Sequence, residues 1–368
     1  MPDGVDLRPL PPLENLARDW QELECRSCGS FFTSWTWIGA WLDTVIQERN
    51  AAANLSLLTV RDGKPVAMAI LGRRNAWTWP IGREFGAVNQ IGDSALDGIW
   101  IEYNDLLAAT GHEKHSLDAL LQYIAADRTP GAVQIPKGVR WAGLSAASVE
   151  RIRAFDLAFT IRRASKCRWV NLTQDHGDID LYLSHLSSNS RQQIRRSLRL
   201  LFGDKRPRIE RTVPETLASD LQKFKQMHVD AWRKRRGHDG AYANPLFETF
   251  LHRLISAGIA NGSVELLKIN SDSTLVGILI NFIYRGSVYA YQSAFQYYDD
   301  NRIKPGIASH AAAIADFGAK GMEAYRFMDG AGRYKESLGT NQEVLYWVDI
   351  AKPTLFTKLT FAIANCLS

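Results

Sequence analysis

Cysteine is scarce in this chain, and the few there are do not group. The four are Cys25, Cys28, Cys167 and Cys366. A single Cys25-x-x-Cys28, with no second pair and no following His pair, is too little for a closed zinc site. It also falls near the end of an expected helix rather than after a strand, which argues against a thioredoxin-type redox pair. Free thiols are the plain reading. Long apolar runs are missing too: none approaches the ~20 residues that a membrane-spanning helix needs. Residues 1–12 hold acidic groups and prolines around no apolar core, so they do not read as a signal peptide. Nothing resembles a Ser-His-Asp triad or a metal-ligand cluster. No helix-turn-helix, zinc-finger or RNA-binding-sheet signature accompanies the basic residues. A soluble, cytoplasmic chain without a metal is expected.

What is present suffices for two domains: 368 residues, 46% of them hydrophobic. Leu16, Trp20 and Leu23 make a helical stripe over 13–24. Ser34 is placed to cap a second helix reaching residue 45, with Trp37, Trp41 and Val45 on one face. Core packing is the expectation for these tryptophans. A hairpin follows, 55–61 and 66–71, about Asp62-Gly63-Lys64. Further strands are expected at 77–80, 98–101 and 132–135, and helices at 115–126 and 145–154. A glycine-bearing loop, 84–98, leads to the polar cluster Glu102-Tyr103-Asn104-Asp105. Segments 157–162 and 169–172 begin a connecting region. Later helices at 215–235 and 245–257 precede strands at 264–269 and 274–282. A final strand is expected at 344–349, then an amphipathic helix at 352–367 with Leu355, Leu359 and Ile363 along one face, for which docking on the body is expected and a membrane surface is the alternative.

Positive charge is concentrated rather than spread, since the net charge is only +5. Arg191, Arg195 and Arg199 recur every four residues on one helical face, with Arg196 beside them and Lys205, Arg206, Arg208 and Arg211 following. A second run, Arg233-Lys234-Arg235-Arg236, ends the helix at 215–235. Three readings are open: solvated helix faces, an anionic partner such as tRNA or a nucleotide-linked acceptor, and duplex DNA.

The chain is organised around residues 288–335. Strand 288–295 carries Tyr289, Tyr291 and Phe295, and Gln292-Ser293 interrupts the aromatic alternation as a candidate bulge. A polar turn, 296–301, gives way to Arg302-Ile303-Lys304-Pro305-Gly306 and an alanine-rich helix ended by Gly321. A short strand, 325–328, then delivers Asp329-Gly330-Ala331-Gly332-Arg333-Tyr334-Lys335. Pro305 pre-sets a helix entry, and Gly306 lets a ligand approach the backbone. First-turn N–H groups lack intrahelical partners and sit at the positive end of the dipole. Arg302, Lys304, Gly306, Ile307 and Ser293 are therefore candidates to hold a diphosphate. Ionisable groups arrive where the next strand ends, which is where open α/β sheets place ligands. A blander reading stands beside this one: strand–turn–helix–strand units are common, and Asp329-Gly330 is also a good turn.

Tyr289-x-Tyr291, the Pro305-Gly306 helix start, Gly321, Asp329-Gly330 and Tyr334-Lys335 together resemble the GNAT-like acyltransferases of the cellulose-biosynthesis (BcsL/CelD-like) group. These are relatives of the FemAB-type aminoacyl transferases. Phe32-x-Ser34-Trp35-x-Trp37 with Trp41, the Arg-rich helix from Arg191, and His228-x-x-x-Trp232-Arg233 resemble the same group, so the likeness spans roughly 31–347. It implies an α/β (α+β) fold of two GNAT-like halves, each a mixed, largely antiparallel sheet flanked by helices. The halves are expected at 1–165 and 166–368, the second carrying the donor site.

The resemblance also implies acyl transfer to an amine. Backbone N–H groups at a bulge near Gln292 would polarise the thioester carbonyl. Asp329 would take the nucleophile's proton, Tyr334 would protonate the thiolate, and Lys335 would meet a phosphate or the oxyanion. Trp232, Arg233, Tyr291, Glu102 and Asn104 are the candidate acceptor-binding residues. The donor signature of small GNAT enzymes, Arg/Gln-x-x-Gly-x-Gly/Ala, is one residue longer here, running from Arg302 through Gly306 to Ala308. The expected donor is acyl-CoA, acetyl or longer, and aminoacyl-tRNA is the alternative. The expected acceptor is a small-molecule or sugar-linked amine. A non-catalytic module of an exopolysaccharide assembly is the reading from a different class.

Overall fold

A computed structural model describes residues 4–48, 52–76, 83–93, 96–99, 101–126, 138–272, 274–330, 332–355, 357–359 and 361. In chain order the first elements are β1 (Val5–Pro9), α1 (Leu13–Cys25), α2 (Trp35–Val45), β2 (Leu55–Asp62), β3 (Lys64–Ala76), β4 (Arg83–Val88) and β5 (Leu107–Ala108). Next come α3 (Glu113–Ala125), β6 (Gly138–Ser145), α4 (Ala146–Arg153), β7 (Ala158–Asn171), α5 (Ile179–Ser184) and α6 (Ser188–Phe202). They are followed by β8 (Arg208–Arg211), α7 (Leu217–Arg236), α8 (Pro245–Asn261), β9 (Val264–Ser271), β10 (Thr274–Tyr284) and β11 (Ser287–Phe295). The remaining elements are α9 (Pro305–Ala319), β12 (Ala324–Arg326), α10 (Arg333–Leu338) and β13 (Asn341–Ala351).

Local chemistry accounts for several boundaries. The Ser34 hydroxyl accepts the Trp37 N–H and starts α2 as expected. Trp20, Trp37 and Trp41 are buried, and the Trp20 indole donates to the Thr33 carbonyl at 2.9 Å. Asn244 caps α8, Pro245 takes its first turn, and Gly262 ends it in the left-handed conformation.

The chain forms two compact units: Met1–Ser165 with Val344–Ser368, and Lys166–Glu343. The expected halves had 344–368 in the second; the contacts group those residues with the first. In the first unit the strand order is β1-β2-β3-β4-β6-β13, with β5 beside β3. β4 and β6 are parallel and the other described pairs antiparallel. Its core joins strand residues such as Leu58, Val60 and Val139 to Leu117, Leu120 and Leu121 of α3 and to Val149 and Ile152 of α4. In the second unit, which begins within β7, the order is β7-β12-β11-β10-β9-β8. β11 and β12 are parallel and the remaining pairs antiparallel. Its core sets Leu267, Ile269, Val276 and Leu279 against Ala308, Ala311, Ile314 and Phe317 of α9.

Several expectations change. The segments expected at 157–162 and 169–172 belong to one strand, β7 at Ala158–Asn171, whose charged middle is largely exposed and continues the strand. Residues 98–99 lie in a turn and not in a strand. The expected strands at 77–80 and 132–135 lie outside the described residues. In the described part of 352–361, Thr357 and Phe361 are buried, whereas Leu355 and Leu359 are exposed. The face expected to dock is therefore the outer one there. No helix among the described residues is long and apolar enough to cross a membrane.

Candidate active site

β10 is buried continuously from Val276 to Phe282, as suits a strand covered on both faces. Its one polar residue in that run, Asn281, sits where the pairing with β11 slips. Ile280 faces Gln292, but Asn281 faces Ala290, leaving Tyr291 as the extra residue of a bulge. The bulge is thus at Tyr291, not at Gln292-Ser293, which pair regularly with Ile280 and Leu279. The Tyr291 ring packs on Phe282, with centroids 4.6 Å apart.

On its other edge β11 has a strand neighbour for only part of its length. β12 pairs with it in parallel along 287–289. After that the chain turns to β7, where the Phe327 N–H reaches the Arg168 carbonyl at 2.9 Å. Residues 290–295 of β11 therefore have no strand on that side among the described residues. α9 begins beyond the end of β11, with Pro305 in its first turn and no side-chain cap. The Ala308 N–H makes the first helical bond, to the Lys304 carbonyl at 3.1 Å. The N–H groups of Gly306 and Ile307 are left at the positive helix end.

The basic residues before α9 are not equivalent. The Arg302 guanidinium is held by both oxygens of Asp300 at 2.7–3.0 Å, which pulls that carboxyl down to about 2. Its charge, expected to face a ligand, is already met. Lys304 forms no ion pair with a described residue. Ile307 is buried in the core, so only its backbone N–H can serve a ligand. Gly306 also differs from expectation: a Cβ there would lie 3.0 Å from the Phe295 ring. Its bare Cα makes room for that ring.

Beneath this helix start runs a buried polar chain that the sequence reading missed. The Tyr325 hydroxyl donates to the Asn281 amide oxygen at 3.3 Å and lies 2.9 Å from His310 Nδ1. His310 Nε2 has no hydrogen-bond partner among the described residues. Tyr334 stacks on the imidazole at 5.3 Å with the planes 13° apart. Burial, assisted by the Lys335 charge, pulls His310 down to about 3. Burial also pushes Tyr334 up to about 12, so both rings are neutral near pH 7. The readable signal was Asn281, a lone amide inside an apolar strand.

Tyr334 and Lys335 lie on α10, a short helix that follows the turn at Asp329-Gly330. The Lys335 ammonium donates to the carbonyls of Met328 and Asp329. Met328 has φ 60° and Gly330 φ 120°, so the turn carrying Asp329 is conformationally constrained and tied to Lys335. The half-buried Asp329 is thereby held at the end of β12, beside the helix that bears Tyr334.

His228 of α7 stacks on Phe224, lies tilted against Trp232 and meets Tyr242 edge-on, and burial pulls it down to about 4 against a smaller upward pull from the Ser293 carbonyl. Trp232 lies between His228 and His238, and the exposed Arg233 pairs with Asp239. On α6, Arg191 caps the end of α5 through the Ser184 and Leu186 carbonyls, and Arg195 pairs with Asp180. Two of the three arginines offered to a polyanion therefore have local partners. Glu102 and Asn104 belong to the first unit. Asn104 is buried, with its amide bonded to Asn89 and the Val88 carbonyl, so it holds loops together. Among the described residues no three His, Cys, Asp or Glu side chains group as for a metal.

Residues 188–336 match the model of a family described as an acetyltransferase (GNAT) domain. That segment contains the bulge, the α9 start, the polar chain and Lys335. No curated protein matches the chain in sequence. Among solved structures it is similar to FemX, with a TM-score of 0.57 at 9% identity over 97% of this chain and 99% of that one. A conserved protein of unknown function from Bacteroides thetaiotaomicron VPI-5482 gives 0.55 at 10% identity over 95% and 100%. L-PGS from Bacillus licheniformis gives 0.49 at 12% identity over 97% of each chain. At these identities the first two likenesses speak for the fold. By the domain at 188–336, the chain is an acyltransferase built on the GNAT fold.

Proposed function

We propose that the chain moves an acyl group from acyl-CoA to an amine of a small-molecule or sugar-linked acceptor. One observation carries this reading: the start of α9, free of any side-chain cap, lies beyond the half of β11 that β12 leaves. A diphosphate there would accept from the Gly306 and Ile307 N–H groups, with Lys304 supplying positive charge. Arg302 would join only by releasing Asp300. The thioester carbonyl would lie along residues 291–293 and take hydrogen bonds from β11 N–H groups at the bulge.

The acceptor nitrogen then forms the new C–N bond as the C–S bond breaks. In this reading Asp329 takes the amine's proton and the Tyr334 phenol returns one to the departing thiolate. Lys335 holds the turn that aims Asp329 and lends positive charge to the oxyanion. Trp232, Arg233 and Tyr291 shape the acceptor side. A CoA thioester would put the reaction in the cytoplasm. The likeness to the cellulose-biosynthesis group suggests exopolysaccharide assembly as its setting.

An aminoacyl-tRNA donor is the second reading, favoured by the FemX-like fold and the basic end of α7. Thermal unfolding with acetyl-CoA, longer acyl-CoAs, ATP and charged tRNA separates the two. A ligand that binds the native state alone adds about 2.7 kcal/mol at a hundred times its Kd. An acyl-CoA should raise Tm, and ATP should not. A rise with charged tRNA and none with any acyl-CoA would replace the first reading by the second.

A further inference from the structure

The first unit contains a cavity of about 370 Å3 between the starts of α3 and α4 and the loop before β5. That lies at the lower end of volumes that hold small ligands. Leu106, Ala108, Leu117 and Ala147 supply apolar walls, and Asp105 and Cys28 face the same space. The Asp105 carboxylate accepts the Leu106 N–H at 2.8 Å and the Ser148 hydroxyl at 2.9 Å, and has no ion pair with a described residue. Burial outweighs these two bonds and raises the carboxyl above its ordinary range. The other charged groups around the cavity do not compensate it. The Arg151 guanidinium is gripped by Asp118, while Glu113 and Lys114 are exposed. A desolvated carboxylate without a cation is costly, and a bound cation relieves that cost. Apolar walls add that the cation should carry a hydrocarbon body.

We propose that this cavity is a small-molecule site for an organic ammonium compound, its nitrogen on Asp105 and its hydrocarbon part against Leu106, Ala108 and Leu117. The site is built from first-unit residues alone and does not rest on the donor reading of the second unit. An anion would meet the Asp105 charge, and a neutral alcohol would gain only an ordinary hydrogen bond.

Cys28 allows the site to be read without knowing the natural ligand. It lines the cavity and is exposed, with Sγ 3.0 Å from the Thr110 hydroxyl. Cys25 is also exposed but is not part of the lining, so it serves as an internal reference. Iodoacetamide labelling of the full chain, mapped by mass spectrometry, should slow at Cys28 as cyclohexylammonium is added. The effect should saturate, with a midpoint of roughly 1 mM. Labelling of Cys25 should not change, and cyclohexanol should protect far less. Asp105→Asn should shift the midpoint about tenfold upward, as loss of a charge-assisted bond requires. Ala147→Phe, at an exposed position on the cavity wall, should abolish protection. Equal protection by the ammonium and the alcohol, no protection by either, or parent-like protection in both variants would overturn the proposal. If Asp105→Asn does not fold, Ala147→Phe and the comparison of the two ligands on the parent decide the matter. None of these readouts depends on acyl-CoA binding.

Discussion

His310 and His228 refuse protons that the unfolded chain accepts. Burial holds them at about 3 and about 4, against roughly 6.5 in an open chain. Below that value the unfolded state binds more protons than the native state. Stability is therefore complete above about pH 6.5 and declines as the pH falls toward 4. Urea midpoints should be level between pH 7 and 8 and drop across that lower window. His310→Gln should remove close to one proton from the slope; a midpoint independent of pH would show that the rings are not desolvated. Gly306 is a second single-residue test. A methyl group 3.0 Å from Phe295 overpacks the helix start, so Gly306→Ala should cost about 1–3 kcal/mol. Phe295→Leu in the same chain should recover much of that loss. Strict additivity of the two changes in denaturation would deny the contact.

At the scale of elements, β9, β10 and the starts of α8 and α9 were legible, the helices from Pro245 and Pro305, whereas α8 runs on to Asn261, past the end expected at 257. The bulge was anticipated one residue late. Aromatic alternation is visible in a string, but the packing of Tyr291 on Phe282 is not. α10 is not visible in the string, since six residues after two glycines show no helical period. Asp300 stands two residues before Arg302, yet adjacency does not tell which side chains will pair. The turn between β12 and α10 has a mechanical requirement of its own. Lys335→Ala removes the donor to two carbonyls, so it should lower stability by about 1–3 kcal/mol as well as slow turnover. Asp329→Asn should slow turnover with little change in Tm. Thermal unfolding alongside thiol release from acyl-CoA separates the two effects.

At the scale of the whole molecule, the second passage of the chain between units, after Glu343, was not legible. Nothing in 341–351 as a string names β6 as its partner. Asp349 accepts from Arg140 and Arg162, and the first of these pairs joins residues 209 positions apart. Val348 and Ile350 are fully buried in the first unit's core. A chain ending at residue 343 should therefore lose cooperative unfolding of the first unit, while acyl-CoA still raises the Tm of the second. Loss of both responses together would mean that the second unit needs the first in order to fold.

That interleaving imposes an order on synthesis. When the ribosome has made Ser165, the first unit still lacks the strand that pairs with β6, and all of 166–343 must be translated before it arrives. At roughly 5–20 residues per second the wait is about 10–35 s. Through that interval the edge of β6 toward β13 is an open template with apolar side chains beside it. The second unit, contiguous in sequence, is under no such delay. The nascent first unit is thus the part of this chain that a chaperone would be expected to hold.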